Sequence, residues 1–441
     1  MPGSRVLQRL TLRECGIRRL NASPPHERVL WENVVPTQIP NTFREREIRL
    51  VLKPELDKIF DATWLDEQTV VCGTKDNKLL QVNTVTQRYN SIPLISYEGE
   101  RRTSPYENCG IHTITLNPSG DRLVCGSDQP QDIAVYDVPS FKPVALLHGH
   151  TDWVFGSAWI DDATLLTSSR DGTVKAWRLG EKQLQGRESS APRLDEATNA
   201  YRNVPHFTCF VSKAEHKGKV RAIKNNKRSR EFGTISNDET FKLWDSQRLT
   251  PIQTLHMTVT LADLQAYSLQ EAVCMAVSED YNLFAVGSRS HLSLVDPRME
   301  TLADQFTCFQ SKDKDNQGLG VRSLSFYHHV ITVGGGGGDL SFFDMRKNNM
   351  DDKFPLDTST MDFFNVLDPN TGKYAPEIVT GRGRKYDIHP LFRQPRFGEP
   401  DMHFECPHAV YAHAYSPGGT RLLTAGGPLA YGFRGCYLAV W

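Results

Sequence analysis

The sequence predicts an all-β protein, a seven-bladed β-propeller preceded by a short N-terminal helical segment, on three observations. Seven stretches repeat one pattern of short alternating strands broken by Asp, Gly, Asn and Ser, residues that favour tight hairpins. Where no insertion intervenes they recur about every 40–45 residues, the period of a WD-type repeat. One unit, His148 to Trp177, carries the whole pattern: a Gly-His start, an apolar strand over 154–159, a second over 164–168, a Ser-Arg-Asp-Gly turn and a strand ending in Trp177. One such sheet cannot bury both of its faces, whereas seven stacked about an axis can.

The elements follow in chain order. Residues 1–43 form an N-terminal segment in which Val6, Leu7, Leu10 and Ile17 stand at near-helical spacing among basic residues. A short helix and an unstructured tail both fit it, and Gly16 and Asn21 to Pro25 would end a helix. Residues 44–441 are the WD-repeat propeller. Aligned to His148–Trp177, its other units are Asp57–Asn83, Gly110–Asp137, His216–Asp245, Glu271–Arg298, Leu319–Arg346 and His408–Trp441. The last unit stops at its third strand. Its fourth is expected from Glu45 to Leu52, which would tie the ring shut and cover an exposed edge. Insertions interrupt the rhythm at about 180–215 and 347–407; the second contains Gly-Arg-Gly-Arg-Lys at Gly381 to Lys385. Long loops on a rigid scaffold often carry function or remain disordered, and no structure is assigned to either.

Composition narrows the function classes. A formal net charge of −1 argues against wholesale coating of nucleic acid. The nine cysteines include no Cys-x-x-Cys and no metal-ligand spacing. Neither a secretory signal nor a long apolar run is visible, so no membrane span is expected, and the thiols suit the cytosol or nucleus. No cofactor is implied.

Motifs that suggest chemistry have plainer structural readings. The Gly334–Gly338 run looks like a phosphate loop, but such a loop must open a helix, and here an alternating strand follows. His148 and His150 suggest a metal. A hydrogen-bonded network inside the blade accounts for them better, joining His150, a strand hydroxyl such as Ser168, Asp171 and the Trp177 indole. His216, Asp238 and Trp244 repeat that trio in the next unit. No nucleophile elbow, His-x-x-x-His pair or carboxylate dyad appears, so the chain is expected to be non-catalytic.

The charges that point to a ligand fall on one rim. In a propeller, the start of each inner strand and the turn between second and third strands face the same end of the central channel. Lys58, Lys219, Arg221 and Arg322 stand at inner-strand starts, and Lys75 and Arg170 at the turns. Cations converging on one mouth repel one another, so an anionic partner is expected. Arg offers a fork for bidentate carboxylate contacts and Lys a mobile point charge. The plainer reading pairs each cation with a local carboxylate such as Asp76 or Asp171.

The ordered set Val70 to Lys75 (Val-Val-Cys-Gly-Thr-Lys), Cys109 to His112, Leu116 to Ser119, Ser169 to Gly172, Lys219 to Ala222, Ala285 to Ser288, Asp296 to Arg298, Ile331 to Gly334 and Ala425 to Leu429 resembles the cullin-4-associated factor 12 family. Its members are WD-repeat substrate receptors of cullin-4 ubiquitin ligases, and the resemblance runs from about Leu10 to Trp441. It implies docking on the damaged-DNA-binding adaptor through Asp-x-Arg boxes, here Asp296 with Arg298 and Asp344 with Arg346, and through Leu10, Arg13 and Glu14 of the N-terminal segment. Val295 and Phe343 stand where the boxes usually have Trp. It also implies that Lys58, Lys75, Arg170, Lys219, Arg221 and Arg322 hold acidic C-terminal tails ending in two glutamates; Arg346 matches both surfaces. The expected partners are therefore the adaptor, through it the ligase, and acidic-tailed substrate proteins. A nucleic-acid-binding propeller, favoured only by the Arg382–Lys385 cluster, and a plain scaffold propeller are the alternatives.

Overall fold

The computed structural model describes residues 48–345 and 408–441, except 54–55, 98–109, 181–191, 260–266, 269–271, 289–290, 301, 303, 308–319, 337 and 430–434, together with short strands between 353 and 404. Among the described residues, seven sheets carry four or more strands. Blade 1 begins with Ile59–Trp64, blade 2 with Ile114–Leu116, blade 3 with Val154–Trp159 and blade 4 with Val220–Asn226. Blades 5, 6 and 7 begin with Cys274–Ser278, Val321–Tyr327 and His408–Tyr415. These first strands lie side by side in that order, and the strand of blade 7 returns to that of blade 1. The ring is closed.

Closure comes from the N-terminal side. Ile48–Arg49 pairs antiparallel with Tyr437–Val440, Ile48 opposite Val440 and Arg49 opposite Ala439, and the Leu50 amide donates to the Leu438 carbonyl at 2.9 Å. Ile48 and Arg49 lie within the Glu45–Leu52 stretch expected to close the ring, whose residues before Ile48 lie outside the described ones. Leu50, beyond the paired residues, is buried and anchors the seam.

Each blade is a wall between two cores, and strand periodicity sorts its side chains between them. In Thr69–Thr74, Val70 and Cys72 pack toward blade 7, while Val71 packs toward blade 2. In Arg122–Gly126, Leu123 and Cys125 face blade 1 and Val124 faces blade 3. Strands buried on both faces read as apolar runs, which is why these repeats show through an ordinary composition.

The first insertion is partly folded. Val211–Lys213 supplies the fourth strand of blade 3, so the chain leaves that blade and returns to complete it. On the way, His206–Phe207 adds a parallel strand to the outer edge of blade 2. The hairpin Arg193–Asp195 with Ala200–Arg202 sets a strand parallel to Leu94–Ile95. Outer strands leave unpaired N–H and C=O groups, and this excursion covers them. Strands of two or three residues carry no legible period, so only the fold reveals them. Lys353–Pro355, inside the second insertion, likewise pairs as the outer strand of blade 6. The expected N-terminal helix lies outside the described residues.

Candidate functional site: the mouth of the central channel

Two blades are locked by matching relays. His150 Nδ1 lies 2.8 Å from Asp171 Oδ2, His150 Nε2 lies 2.8 Å from Thr167 Oγ1, and the Trp177 indole donates to the same Oγ1 at 2.9 Å. Blade 4 repeats it: His216 to Asp238 at 3.0 Å, His216 to Thr234 at 2.8 Å, and Trp244 to Thr234 at 2.8 Å. The donors chain in one direction. Tryptophan N–H reaches the threonine oxygen, its O–H reaches Nε2 of a neutral imidazole, and Nδ1–H reaches the carboxylate. Burial lowers both imidazole pKa values, consistent with neutral rings. Burial pushes the Asp238 carboxyl up, yet hydrogen bonds from Thr240 and the Lys217 amide, with His216 beside it, bring it down to about 2. The hydroxyl expected at Ser168 is therefore Thr167. Ser168 pairs with Gly156 on the inner strand and, one residue along, has its side chain on the other face. Blade 7 keeps half the relay, which the sequence reading missed: Trp441 donates to Thr424 at 2.9 Å.

The Gly334–Gly338 run closes a strand and makes a turn, as expected of a hairpin. Val330–Gly335 pairs with Asp339–Asp344, and the Gly336 amide donates to the Gly320 carbonyl at 2.8 Å.

That last bond belongs to a set defining one end of the channel. The residue after a second strand donates to the carbonyl just before the first strand: Lys75 to Lys58 at 2.9 Å, Arg170 to Trp153 at 2.8 Å and Asn237 to Lys219 at 3.0 Å. Strand starts and second-to-third turns thus share a rim. Below it lies a cavity of about 740 Å³, walled by residues from the first strands of all seven blades.

A repeated irregularity aims the wall residues. In blades 1, 3, 4, 6 and 7 the inner ladder slips by one residue, between Ile59 and Asp61, Val154 and Gly156, Val220 and Ala222, Val321 and Ser323, and Val410 and Ala412. The skipped residues are Phe60, Phe155, Arg221, Arg322 and Tyr411, and all five line the cavity. A bulge leaves its extra residue out of the ladder and re-aims its side chain. Arg221 and Arg322 owe their places in the cavity wall to this slip.

The six expected cations separate by environment. Arg170, Lys219 and Arg221 gather: burial and then repulsion from Arg170 and Arg221 lower the Lys219 pKa. Arg221 stacks over Phe155 at 4.7 Å and donates to Asn237 Oδ1 at 2.9 Å; Arg170 stacks over Trp153 at 4.8 Å and lies 3.4 Å from Asp152. Arg322 lines the cavity from blade 6, and its buried Nε has no hydrogen-bond partner among the described residues. Lys75 sits 3.6 Å from the Asp57 carboxylate. Lys58 is 3% exposed, with its ammonium donating to the Pro428 carbonyl at 2.7 Å, which ties blade 1 to blade 7. Local carboxylates do engage Lys75 and Arg170, but they are Asp57 and Asp152. Asp76 pairs with Lys78, and Asp171 belongs to the relay.

The channel also holds groups that sequence reasoning missed. Asp61 accepts from the Ile114 amide at 2.6 Å and from the Ala62 amide at 2.9 Å, and burial raises its pKa to about 6 against the pull of Lys224. His413 bridges Ser323 and Ser325 at 2.7 Å each, and burial lowers it to about 4. Neither carries a motif, since each is assembled from neighbouring blades. Among the described residues no group of three His, Cys, Asp or Glu could hold a metal.

Just after the third strand of blade 5, His291–Val295, the Asp-x-Arg ending folds on itself. Arg298 donates to Asp296 through Nε at 2.8 Å and Nη2 at 2.6 Å, and through its amide at 3.0 Å. The Arg298 side chain is 71% exposed. Asp344 ends the third strand of blade 6, while Leu10, Arg13, Glu14 and Arg346 lie outside the described residues.

Closed ring, shared rim and indole–threonine relays define a WD-repeat β-propeller. The chain belongs to the DDB1- and CUL4-associated factor 12 beta-propeller family, whose model matches residues 39–441. It is therefore a WD-repeat propeller of that family. It is also similar, at 26% identity over 152 residues, to a CCR4-associated factor 4 homolog of Candida glabrata, covering 34% of this chain and 23% of that protein. The guanine nucleotide-binding protein subunit beta-1 of Nicotiana tabacum is 25% identical over 230 residues, covering 44% of this chain and 58% of its own. The chain thus spans a quarter to somewhat over half of these curated relatives. Among solved structures, U3-55K and the RRP9 WD40 repeats each superpose with a TM-score of 0.56 at 12% identity, covering 89% of this chain and 97% and 96% of theirs. That likeness concerns the fold.

Proposed function

We propose that this chain is the substrate-recognition subunit of a cullin-4 ubiquitin ligase, docking on the damaged-DNA-binding adaptor and capturing proteins by acidic C-terminal tails ending in two glutamates. The observation that carries the reading is the cation cluster of Arg170, Lys219, Arg221 and Arg322 about a channel mouth, in a chain of this family. The cluster raises the energy of the empty mouth, and an anion relieves it. A terminal Glu-Glu offers two side-chain carboxylates and the α-carboxylate within one residue's reach. A closed channel admits a chain end more readily than a mid-chain loop. The receptor itself would break no bond; it would hold substrate lysines near the charged ubiquitin carrier, a proximity effect. Cytosol and nucleus are the proposed compartments.

The test is fluorescence polarisation with a peptide ending in free Glu-Glu and the same peptide amidated. Binding to the free acid, lost on amidation, is the expected result. Equal affinities would overturn the tail reading and favour a general polyanion binder, whose binding would fall steeply with salt.

For the adaptor, Asp296 holds the exposed Arg298 side chain just after the third strand of blade 5. Replacing Asp296 with Ala frees the guanidinium without touching the channel. Co-purification with the adaptor is expected to fall severalfold while tail-peptide binding persists. Undiminished co-purification would remove this box from the docking surface.

A further inference from the structure

The collar of residues around the cavity, five of them at bulges, is two-faced. Tyr411, Phe60, His112 and Phe155, on the consecutive blades 7, 1, 2 and 3, present rings to the cavity. They touch in sequence: Phe60 meets Tyr411 edge-on at 5.3 Å, stacks on His112 at 4.6 Å, and His112 meets Phe155 edge-on at 5.2 Å. Gly110, at φ 86°, makes room for this arc, since a Cβ there would lie 2.9 Å from the Phe60 ring. Blades 4, 5 and 6 complete the collar with Arg221, Val273 and Arg322.

We propose that the aromatic arc is a second subsite, which takes an apolar or aromatic side chain three residues from the end of the acidic tail. This rests on the tail reading given above. The three residues Phe60, Phe155 and Tyr411 are only half-buried, so their rings meet the solvent of the channel. Covering such surface is favourable by roughly 25 cal/mol per Å². Opposite stands the cationic arc, so the collar complements a chain end that is acidic on one side and apolar on the other. An extended peptide has that form, because successive side chains point to opposite sides. With the penultimate glutamate toward Arg221 and Arg322, the residue before it falls against Phe60 and Tyr411. A third acidic residue there would meet ring faces, whose quadrupole is negative.

The test is a series of free-acid peptides ending X-Glu-Glu, with X as Phe, Leu, Gly or Asp, measured by fluorescence polarisation on the wild type, Phe60→Ala and Tyr411→Ala. Phe and Leu are expected to bind about tenfold tighter than Gly or Asp, the gain of one well-buried side chain. In both variants the preference should shrink below about threefold, with thermal melts establishing that they fold. Equal affinity across X on the wild type, with amidation still abolishing binding, would overturn the subsite and leave the tail reading standing. A preference unchanged in both folded variants would also overturn it. Failure of every peptide to bind would sink the tail reading and this proposal with it.

Discussion

Replacing Arg322 with glutamate is expected to abolish measurable capture of a Glu-Glu tail while leaving the propeller folded. Arg322 is the cleanest probe of the mouth. Arg221 is also held by Asn237 and stacks on Phe155, so its loss would disturb the wall as well as the charge. Arg322 has a buried Nε without a hydrogen-bond partner among the described residues, which an incoming carboxylate would satisfy. Removing one partner of a buried charge pair costs roughly 2–5 kcal/mol of binding, and reversal adds repulsion. An affinity loss of at least about thirtyfold follows, since each 1.4 kcal/mol is about a factor of ten. The measurement is the dissociation constant of the free-acid peptide, with a thermal melt as control. An affinity within twofold of the wild type would exclude Arg322 from the site.

The largest effect on stability is expected from Thr234→Val. The hydroxyl is the hub of the blade 4 relay, taking the Trp244 indole proton at 2.8 Å and meeting His216 Nε2 at 2.8 Å. Valine matches its shape but leaves two buried polar groups without partners, at about 1–3 kcal/mol each. Blade 7 provides the comparison. Thr424 receives the Trp441 indole and, among the described residues, meets no histidine but only the Tyr437 hydroxyl at a long 3.4 Å, so Thr424→Val is expected to cost less than Thr234→Val. Urea titration of both variants, read as a change in midpoint at constant slope, checks the pair. Equal costs would mean that the histidine link adds nothing beyond the long Thr424–Tyr437 contact.

These predictions draw unequally on sequence and fold. Asp171, Trp177, Asp238 and Trp244 are legible because each relay lies within one repeat, where spacing carries the geometry. Which hydroxyl joins them is not. Thr167 and Ser168 are adjacent, and strand register alone decides that Thr167 faces the indole while Ser168 faces away. The rim cations were legible as positions, but not what each would meet. Lys58 and Arg322 both stand near inner-strand starts. One is buried against a carbonyl of the neighbouring blade; the other occupies a bulge and lines the channel.

The sequence by itself determined the propeller, its repeating units, the direction of ring closure and the His, Asp and Trp of the two relays. All are local or repeated, so strand periodicity and spacing encode them. Only the tertiary structure decided the aromatic arc, the Asp61 carboxyl pushed to about 6, the His413 bridge and the outer strands hidden in the first insertion. Each depends on residues far apart in the chain that meet when separate blades are stacked. A one-residue bulge, invisible in composition, decides whether a side chain enters the ladder or lines the channel.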